Sequence, residues 1–313
     1  MEHEINQMAC TACDGELEPL FAEVRDPLTG EQFRISRCRH CGLGYTLPRP
    51  VDLGRYYGER YYGNRHGFTL RRCIKRRLGF VAAAMPAGET GRLLDIGCGD
   101  GSFLLSAQSA GWEVMGTELN PGPAQSLGLD VKESVERVET AEGFDCITMW
   151  HTLEHMRDIP AMMVLLTRLL KPEGRLIIAV PDSGGLQARL FRKRWLHIDV
   201  PRHLYHFDGG SLQYCLGAAG LSVLRRWHQE FEYDLLGWSQ SALNFILPEP
   251  NVFFDILTGK QSTAGVLARG TALVLGVLLS LVCLPLLPLG SLLGRGGTLI
   301  VVAGKRKVSG KQS

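Results

Sequence analysis

Leu93-Leu94-Asp95-Ile96-Gly97-Cys98-Gly99-Asp100-Gly101-Ser102-Phe103 passes from an apolar strand through a glycine turn into the start of a helix. Glycines let a backbone approach a ligand closely, and a helix N-terminus offers unpaired amides. Seventeen residues after Gly101, at the end of the next apolar run, Val114-Met115-Gly116-Thr117-Glu118, stands an acid. An acid at that place can hold both hydroxyls of a ribose. A dinucleotide fingerprint would need a third glycine at 102, which is Ser; the spacing here is G-x-G-x-G. Asp95, two residues before the first glycine, puts an anion at the strand end. That charge disfavours a pyrophosphate and suits a cation.

At these residues the chain resembles the class I S-adenosylmethionine-dependent methyltransferases, whose first motif reads as Leu93 to Gly101 does here. Their cofactor carries a sulfonium and an ammonium. The resemblance implies a Rossmann-like seven-stranded α/β sheet with its last strand antiparallel. It also implies Asp95 and Gly97 near the methionine part and Glu118 on the ribose. The expected cofactor set is Asp95, Gly97, Cys98, Gly99, Gly101, Glu118, Leu119 and Trp150. The runs Phe144 to His151 and Leu170 to Pro181 look like the family's fourth and fifth strand motifs, so the likeness spans most of residues 90–230. Glu133 is too loosely spaced to be placed on the adenine.

Outward from this centre, strand-like and helical patterns alternate. Helices are expected over Phe68–Met85, Ser102–Ala110, from Pro121, Ile159–Leu170 and Ser211–Ala219; strands over Arg92–Ile96, Glu113–Glu118, Asp145–Trp150, Arg175–Val180 and Leu221–His228. Such alternation predicts a parallel sheet with helices on both faces. The expected organisation is a zinc ribbon and Tyr-rich linker over 1–66, a cofactor-binding core over 67–235, a hydrophobic helical insertion over 236–295, and a last strand with a basic tail over 296–313.

Across the 313 residues, 34 Lys and Arg balance 32 Asp and Glu, a net charge of +2 that argues against a nucleic-acid partner. An N/D-P-P-Y/F run after the fourth strand is missing as well. A hydrophobic share of 45% against 21% charged excludes disorder as the main state. The nine cysteines are odd in number and no apolar leader opens the chain, which predicts a reducing, cytoplasmic setting.

Cys10-x-x-Cys13, 24 residues, then Cys38-x-x-Cys41 offers two thiolate pairs, enough for one tetrahedral structural zinc. Gly15 and Gly42 follow the pairs, where amides must wrap the sulfurs. A four-thiolate site has no open position, so no catalysis is assigned to it. CxxCG, then PxP and the tyrosines Tyr56, Tyr57, Tyr61 and Tyr62, resembles a segment ahead of this domain in one methyltransferase subgroup. Those tyrosines either close over the cofactor or form a packed linker.

His151-Thr152-Leu153-Glu154-His155 follows the fourth strand. H-x-x-E-H on a long helix would be a zinc-protease signature; at a strand's carboxyl end it lies on the functional edge of an α/β sheet. It is similar to an E-x-x-E-H of the ubiquinone-biosynthesis type of O-methyltransferase, associated there with a divalent metal. His151 replaces the first Glu of that pattern, and a hard cation prefers oxygen. Trp195 to Phe207 adds His197, His203 and His206 with Asp199 and Arg202. A histidine can take the proton from an acceptor hydroxyl. The catalytic candidates are His151, Glu154, His155 and His203.

From Gly270 to Gly294 there are 25 residues without a charge. A helix of that length would reach about 37 Å, enough for a bilayer. Pro285 and Pro288 interrupt it, basic residues flank both ends, and Thr298 to Lys305 resembles the last core strand, which must return to the sheet. The expectation is a bent, interfacial helical pair with halves of about 18 Å, a membrane-surface contact through 264–294 at the inner face. A buried pair or a dimer face is the alternative. The function expected is S-adenosylmethionine-dependent O-methylation, with a histidine base, of a small or lipophilic acceptor such as a quinone precursor or a lipid-linked sugar. C- or N-methylation of a saccharide, and a non-catalytic ribbon module with a relic pocket, stand beside it.

Overall fold

The structure is a computed structural model and describes residues 9–57, 69–260 and 264–306. Tyr61, Tyr62 and Phe68, named above, lie outside the described residues.

The chain begins with three antiparallel strands, β1 (Leu17–Arg25), β2 (Gln32–Cys38) and β3 (Gly44–Leu47). Their buried residues Val24, Phe33 and Ile35 share a cluster with Phe191, Trp195, Ile198, Val200 and Trp238. Helix α1 (Leu70–Ala84) follows, then β4 (Arg92–Ile96), α2 (Ser102–Ser109), β5 (Glu113–Thr117), α3 (Gly122–Gln125), β6 (Val131–Lys132) and β7 (Phe144–Trp150). α4 (Ile159–Leu169) is capped by Asp158, whose carboxylate accepts from Ala161 N at 2.9 Å, with Pro160 in its first turn. Its apolar face, Ile159, Met162, Met163, Leu166 and Leu169, is buried against the sheet.

β8 covers Leu170–Pro181, longer than the expected Arg175–Val180, because Leu170 already pairs with Phe144 across a register shift. α5 (Leu186–Phe191), β9 (Tyr205–His206), α6 (Gly209–Ala218) and β10 (Leu221–Trp227) come next. α6 starts two residues before the expected Ser211, since Asp208 and Ser211 form a capping box.

The large sheet has the order β10-β11-β8-β7-β4-β5-β6, where β11 is Thr298–Lys305. β11 is antiparallel to both β8 and β10, while β4 to β8 run parallel. This is the seven-stranded methyltransferase sheet that the resemblance implied. Helices cover both faces, which explains why β4, β7 and β8 read as nearly unbroken apolar runs.

The first sheet takes its fourth strand from inside the core: β3 pairs with β9, Gly44 with His206 and Tyr45 with Tyr205. Arg202, almost fully buried, reaches Asp26 at 2.9 Å and Asp199 at 2.7 Å. Arg37 reaches Asp208 at 2.5 Å. The ribbon is thereby built into the loop that carries His203.

After β10 come α7 (Phe231–Ile246), α8 (Val252–Thr258), α9 (Val266–Cys283) and α10 (Leu286–Leu292). The expected break falls at Pro285, but the two parts are unequal, 18 and 7 residues. No proline lies between Val266 and Leu284, so the first part runs on through five turns. α9 docks along α7 and α8: Ala272 is buried with Leu243, Val252 and Phe253, and Gly276 lets Phe253 approach. Its outer side keeps Leu267, Val274, Leu278, Leu281 and Val282 exposed. By length and composition alone, α9 could cross a membrane.

Candidate active site

The glycine turn lies at the carboxyl edge of the sheet between β4 and α2. Gly97 has φ +77°, and a Cβ there would lie 2.5 Å from Thr152 Oγ1. Gly99 also has a left-handed φ, but beside it lies open space. Gly97 N and Cys98 N donate to Thr117 O at 2.8 and 3.0 Å, locking the turn to β5. Glu118 accepts from Gly99 N and Leu119 N, both at 2.9 Å. Asp95 is buried and accepts from Thr148 Oγ1 at 2.6 Å. Burial pushes its carboxyl up to about 7, against the opposing pull of Thr148 and Arg77.

Three of the expected cofactor residues have distinct settings. The Cys98 side chain points into the core under Gly116, so only its backbone belongs to the turn. Leu119 is 80% exposed. Trp150 is buried against Phe80 and Phe103 with the Arg77 guanidinium 5.0 Å over its ring. Its Nε1 has no hydrogen-bond partner among the described residues.

His151 directly follows β7 with φ 52°, an uncommon backbone for a non-glycine and one often found at functional sites. Its N–H donates to Ala179 O, and its ring stacks on Tyr233 at 4.1 Å. Nε2 meets Glu230 Oε2 at 2.7 Å; Nδ1 lies 3.7 Å from Glu154 Oε1. Burial disfavours the imidazolium, but Glu154 and Glu230 outweigh it and raise the imidazole to about 9. Glu230, fully buried, is itself held by Arg77 at 3.1 Å, and its carboxyl is held well below the usual range despite burial.

His155 and His203 meet edge to face at 4.7 Å. His155 Nδ1 is 2.9 Å from both Arg202 O and Tyr57 Oη. Burial, and His203 beside it, pull His155 down to about 4. His203 Nδ1 bonds His197 O at 2.9 Å. Glu154 is 1% exposed, and neither carboxylate oxygen has a hydrogen-bond partner among the described residues. Its carboxyl lies near 2, because the three histidines around it more than offset burial.

His151, Glu154, His155, His197 and His203 line one cavity of about 200 Å³, whose outer wall is Asn251, Phe254, Asp255 and Thr258 of the α8 region. His206 instead bonds Thr46 Oγ1 at 2.9 Å within the small sheet. The structure thus brings the four catalytic candidates together, next to the strand end that bears the glycine turn. Sequence reading missed Glu230, Arg77, Tyr233 and the α8 wall. Glu230 lies 79 residues beyond His151, and no local spacing announces such a pair. Of the tyrosine cluster, Tyr57 reaches the site, while Tyr56 packs on Phe33 and bonds Glu31.

The four cysteines Cys10, Cys13, Cys38 and Cys41 bring their sulfurs within 4.8 Å of one another. Cys10–Cys41 and Cys13–Cys38 lie 3.5 and 3.4 Å apart, too far for disulfides. Tetrahedral zinc at about 2.3 Å from sulfur asks for edges of about 3.8 Å. A Cβ at Gly15 would lie 2.9 Å from the Cys38 sulfur, so the cradle needs that glycine. Burial raises the Cys13 and Cys41 thiols, whereas the Cys41 and His40 amides outweigh burial at Cys38 and lower it to about 7, so Cys38 is the readiest thiolate of the cluster. The cluster fits zinc.

The chain is similar to known proteins over its core. A family profile described as a methyltransferase domain matches residues 65–226. The ubiquinone biosynthesis O-methyltransferase of Xanthomonas oryzae pv. oryzae is 33% identical over 145 residues, which cover 42% of this chain and 60% of that protein. The 27-O-demethylrifamycin SV methyltransferase of Amycolatopsis mediterranei is 28% identical over 182 residues, 48% of this chain and 66% of the relative. Among solved structures, a SAM dependent methyltransferase from Archaeoglobus fulgidus is 17% identical with a TM-score of 0.47, covering 81% of this chain and 100% of that one. The chain spans about 60% of the length of the first of these curated relatives.

Proposed function

We propose, on the premise that this chain belongs to the methyltransferase domain family, that it methylates an oxygen of a small, lipophilic acceptor at the expense of S-adenosylmethionine. One observation carries the reading. The glycine turn with Asp95 and Glu118 shares a sheet edge with a cavity lined by His151, Glu154, His155 and His203. When bound, S-adenosylmethionine supplies a methyl group on a positively charged sulfur.

The chain's own residues account for the rest. Ionised Asp95 attracts the positive end of the cofactor, and Glu118 exchanges its bonds to Gly99 and Leu119 for ribose hydroxyls. Open space at Gly99 admits the ligand's closest approach. Once neutral, as pH approaches 9, His151 takes the acceptor's proton on Nδ1, while Glu230 holds Nε2–H and fixes that tautomer. Arg77 anchors Glu230 in turn. Holding acceptor and methyl in line supplies most of the barrier reduction.

The apolar outer side of α9 supports a lipophilic acceptor. α8 lines the cavity and packs on the inner side of α9, so one element joins the cavity to the helix that carries this apolar stripe. On this reading α9 lies in the membrane interface instead of crossing it, because β11 must rejoin the sheet. The test is transfer of labelled methyl from S-adenosylmethionine to extracted lipids and to a water-soluble metabolite fraction. Label in neither overturns the enzyme reading; label only in the soluble fraction overturns the lipophilic acceptor. Co-sedimentation with phospholipid vesicles checks the contact, and a protein left wholly in the supernatant refutes it.

A further inference from the structure

The histidine-lined cavity has a larger neighbour. A groove of about 660 Å³ runs between β1 of the ribbon, the segment from Lys193 to Val200, and the residues that end and follow α7. Pro27, Leu196, Asp199, Pro250 and Asn251 line both the groove and the cavity, so the two share a wall. The cavity alone, at about 200 Å³, is smaller than the roughly 300–1,000 Å³ of most small-molecule sites.

The groove's lining is of two kinds. Phe245 and Ile246, at the end of α7, are 53% and 60% exposed beside the buried Trp195 and Ile198. An apolar chain laid there would take that surface out of water. The other kind is cationic. Arg25, Lys193 and Arg194 are exposed, and none of them is in an ion pair among the described residues. Arg194 holds its guanidinium 4.3 Å over the Phe245 ring, which ties the charge to the apolar wall. Of the two acids in the lining, Asp199 is already met by Arg202 at 2.7 Å, which leaves Glu23 against three cations. From Ser183 to Ile198 the chain has no acid.

We propose that this groove is a second acceptor subsite, which takes the phosphate group and the apolar chain of an amphiphile whose reacting hydroxyl lies in the cavity. The two arginine forks suit paired phosphate oxygens, and Lys193 adds a point charge. A neutral lipophile would leave the three cations unused. A free anion would leave Phe245 and Ile246 in water. A long-chain phosphate uses both kinds of lining, and the shared wall lets one molecule reach into the cavity. That the bound molecule is a methyl acceptor rests on the reading above; that the groove binds it does not.

Isothermal titration of decyl phosphate into the full chain, below the concentration at which the amphiphile aggregates, tests the subsite. One molecule per chain is expected, bound roughly tenfold or more tightly than either decanol or inorganic phosphate, and weakened by added salt. The double substitution Lys193→Glu with Arg194→Glu should weaken decyl phosphate by roughly tenfold or more and leave decanol within about twofold. Ile246→Ser should weaken both. Circular dichroism reports that the variants are folded, and titration of the same proteins with S-adenosylmethionine separates failure of the groove from failure of the cofactor site. Decyl phosphate that binds no more tightly than decanol overturns the proposal, and so does inorganic phosphate that binds equally well. A charge-reversed variant that binds unchanged overturns it too, as does uptake only above the aggregation point, which marks a membrane-binding surface instead.

Discussion

Asp95 offers the sharpest test of the cofactor site. Its carboxyl titrates near 7 in the cofactor-free protein because burial opposes its charge. A cation gains only from the ionised form. At pH 6 about nine-tenths of the protein carries neutral Asp95, and at pH 8 about one-tenth does. The apparent Kd for S-adenosylmethionine should therefore be about tenfold weaker at pH 6 than at pH 8, with a plateau above pH 8. Binding at pH 6 should also release close to one proton, which calorimetry in buffers of different ionisation enthalpy measures. The same group works against folding. A carboxyl raised from 3.8 to about 7 helps the folded state fully below pH 4, and that contribution is lost as pH rises through 7. The loss reaches about 4 kcal/mol, an upper figure for a buried group. Asp95→Asn should thus raise the cofactor-free Tm at pH 8 while it abolishes both the affinity and its pH dependence. A wild-type Kd that stays flat from pH 6 to 8, or an Asn variant that binds as tightly, refutes the reasoning.

Other outcomes follow from neighbouring geometry. Arg202→Ala leaves Asp26 and Asp199 without their shared cation, and should cost about 3–5 kcal/mol in urea unfolding, with ribbon and core losing structure in one transition. Glu230→Gln removes the anion that holds His151; kcat should fall by about 100-fold or more while the cofactor Kd stays within twofold, measured once an acceptor is in hand. Leu278→Glu and Leu281→Glu lie on the exposed stripe of α9 and should change stability by no more than about 0.5 kcal/mol, yet abolish vesicle co-sedimentation. Cys38→Ser should release the ribbon's zinc and lower Tm, read by metal content and thermal unfolding in parallel.

The parts of this fold that the sequence announces are those with a local signal. Periodicity and glycine punctuation placed β4, α2, β5, β7, α4 and β10 within a residue or two. The antiparallel β11 followed from family resemblance. Spacing alone assembled the four cysteines. The candidate site was legible in part: His151, Glu154 and His155 sit in one short run, and His203 stood out as one histidine among several. What escaped depends on distance along the chain. Glu230 reaches His151 only because β10 and α7 return to the sheet edge, and Arg77 reaches Glu230 from α1. β9, two residues long, has no pattern of its own; it exists because β3 offers an edge. The apolar segment was legible as apolar, but the depth of its contact with α7 was not. Ala272, Gly276 and Cys283 form an inward stripe that a purely apolar sequence does not distinguish from its outer side.

The central claim is that the turn from Gly97 to Gly101 holds S-adenosylmethionine. Isothermal titration of the cofactor into the full chain at pH 8, with Gly97→Val alongside, tests it most directly. A Val side chain there would meet Thr152 and force a β-branched residue to φ +77°. The account predicts one cofactor per wild-type chain and no measurable binding by the variant. A wild-type chain that binds none, or a variant that binds equally well, contradicts it.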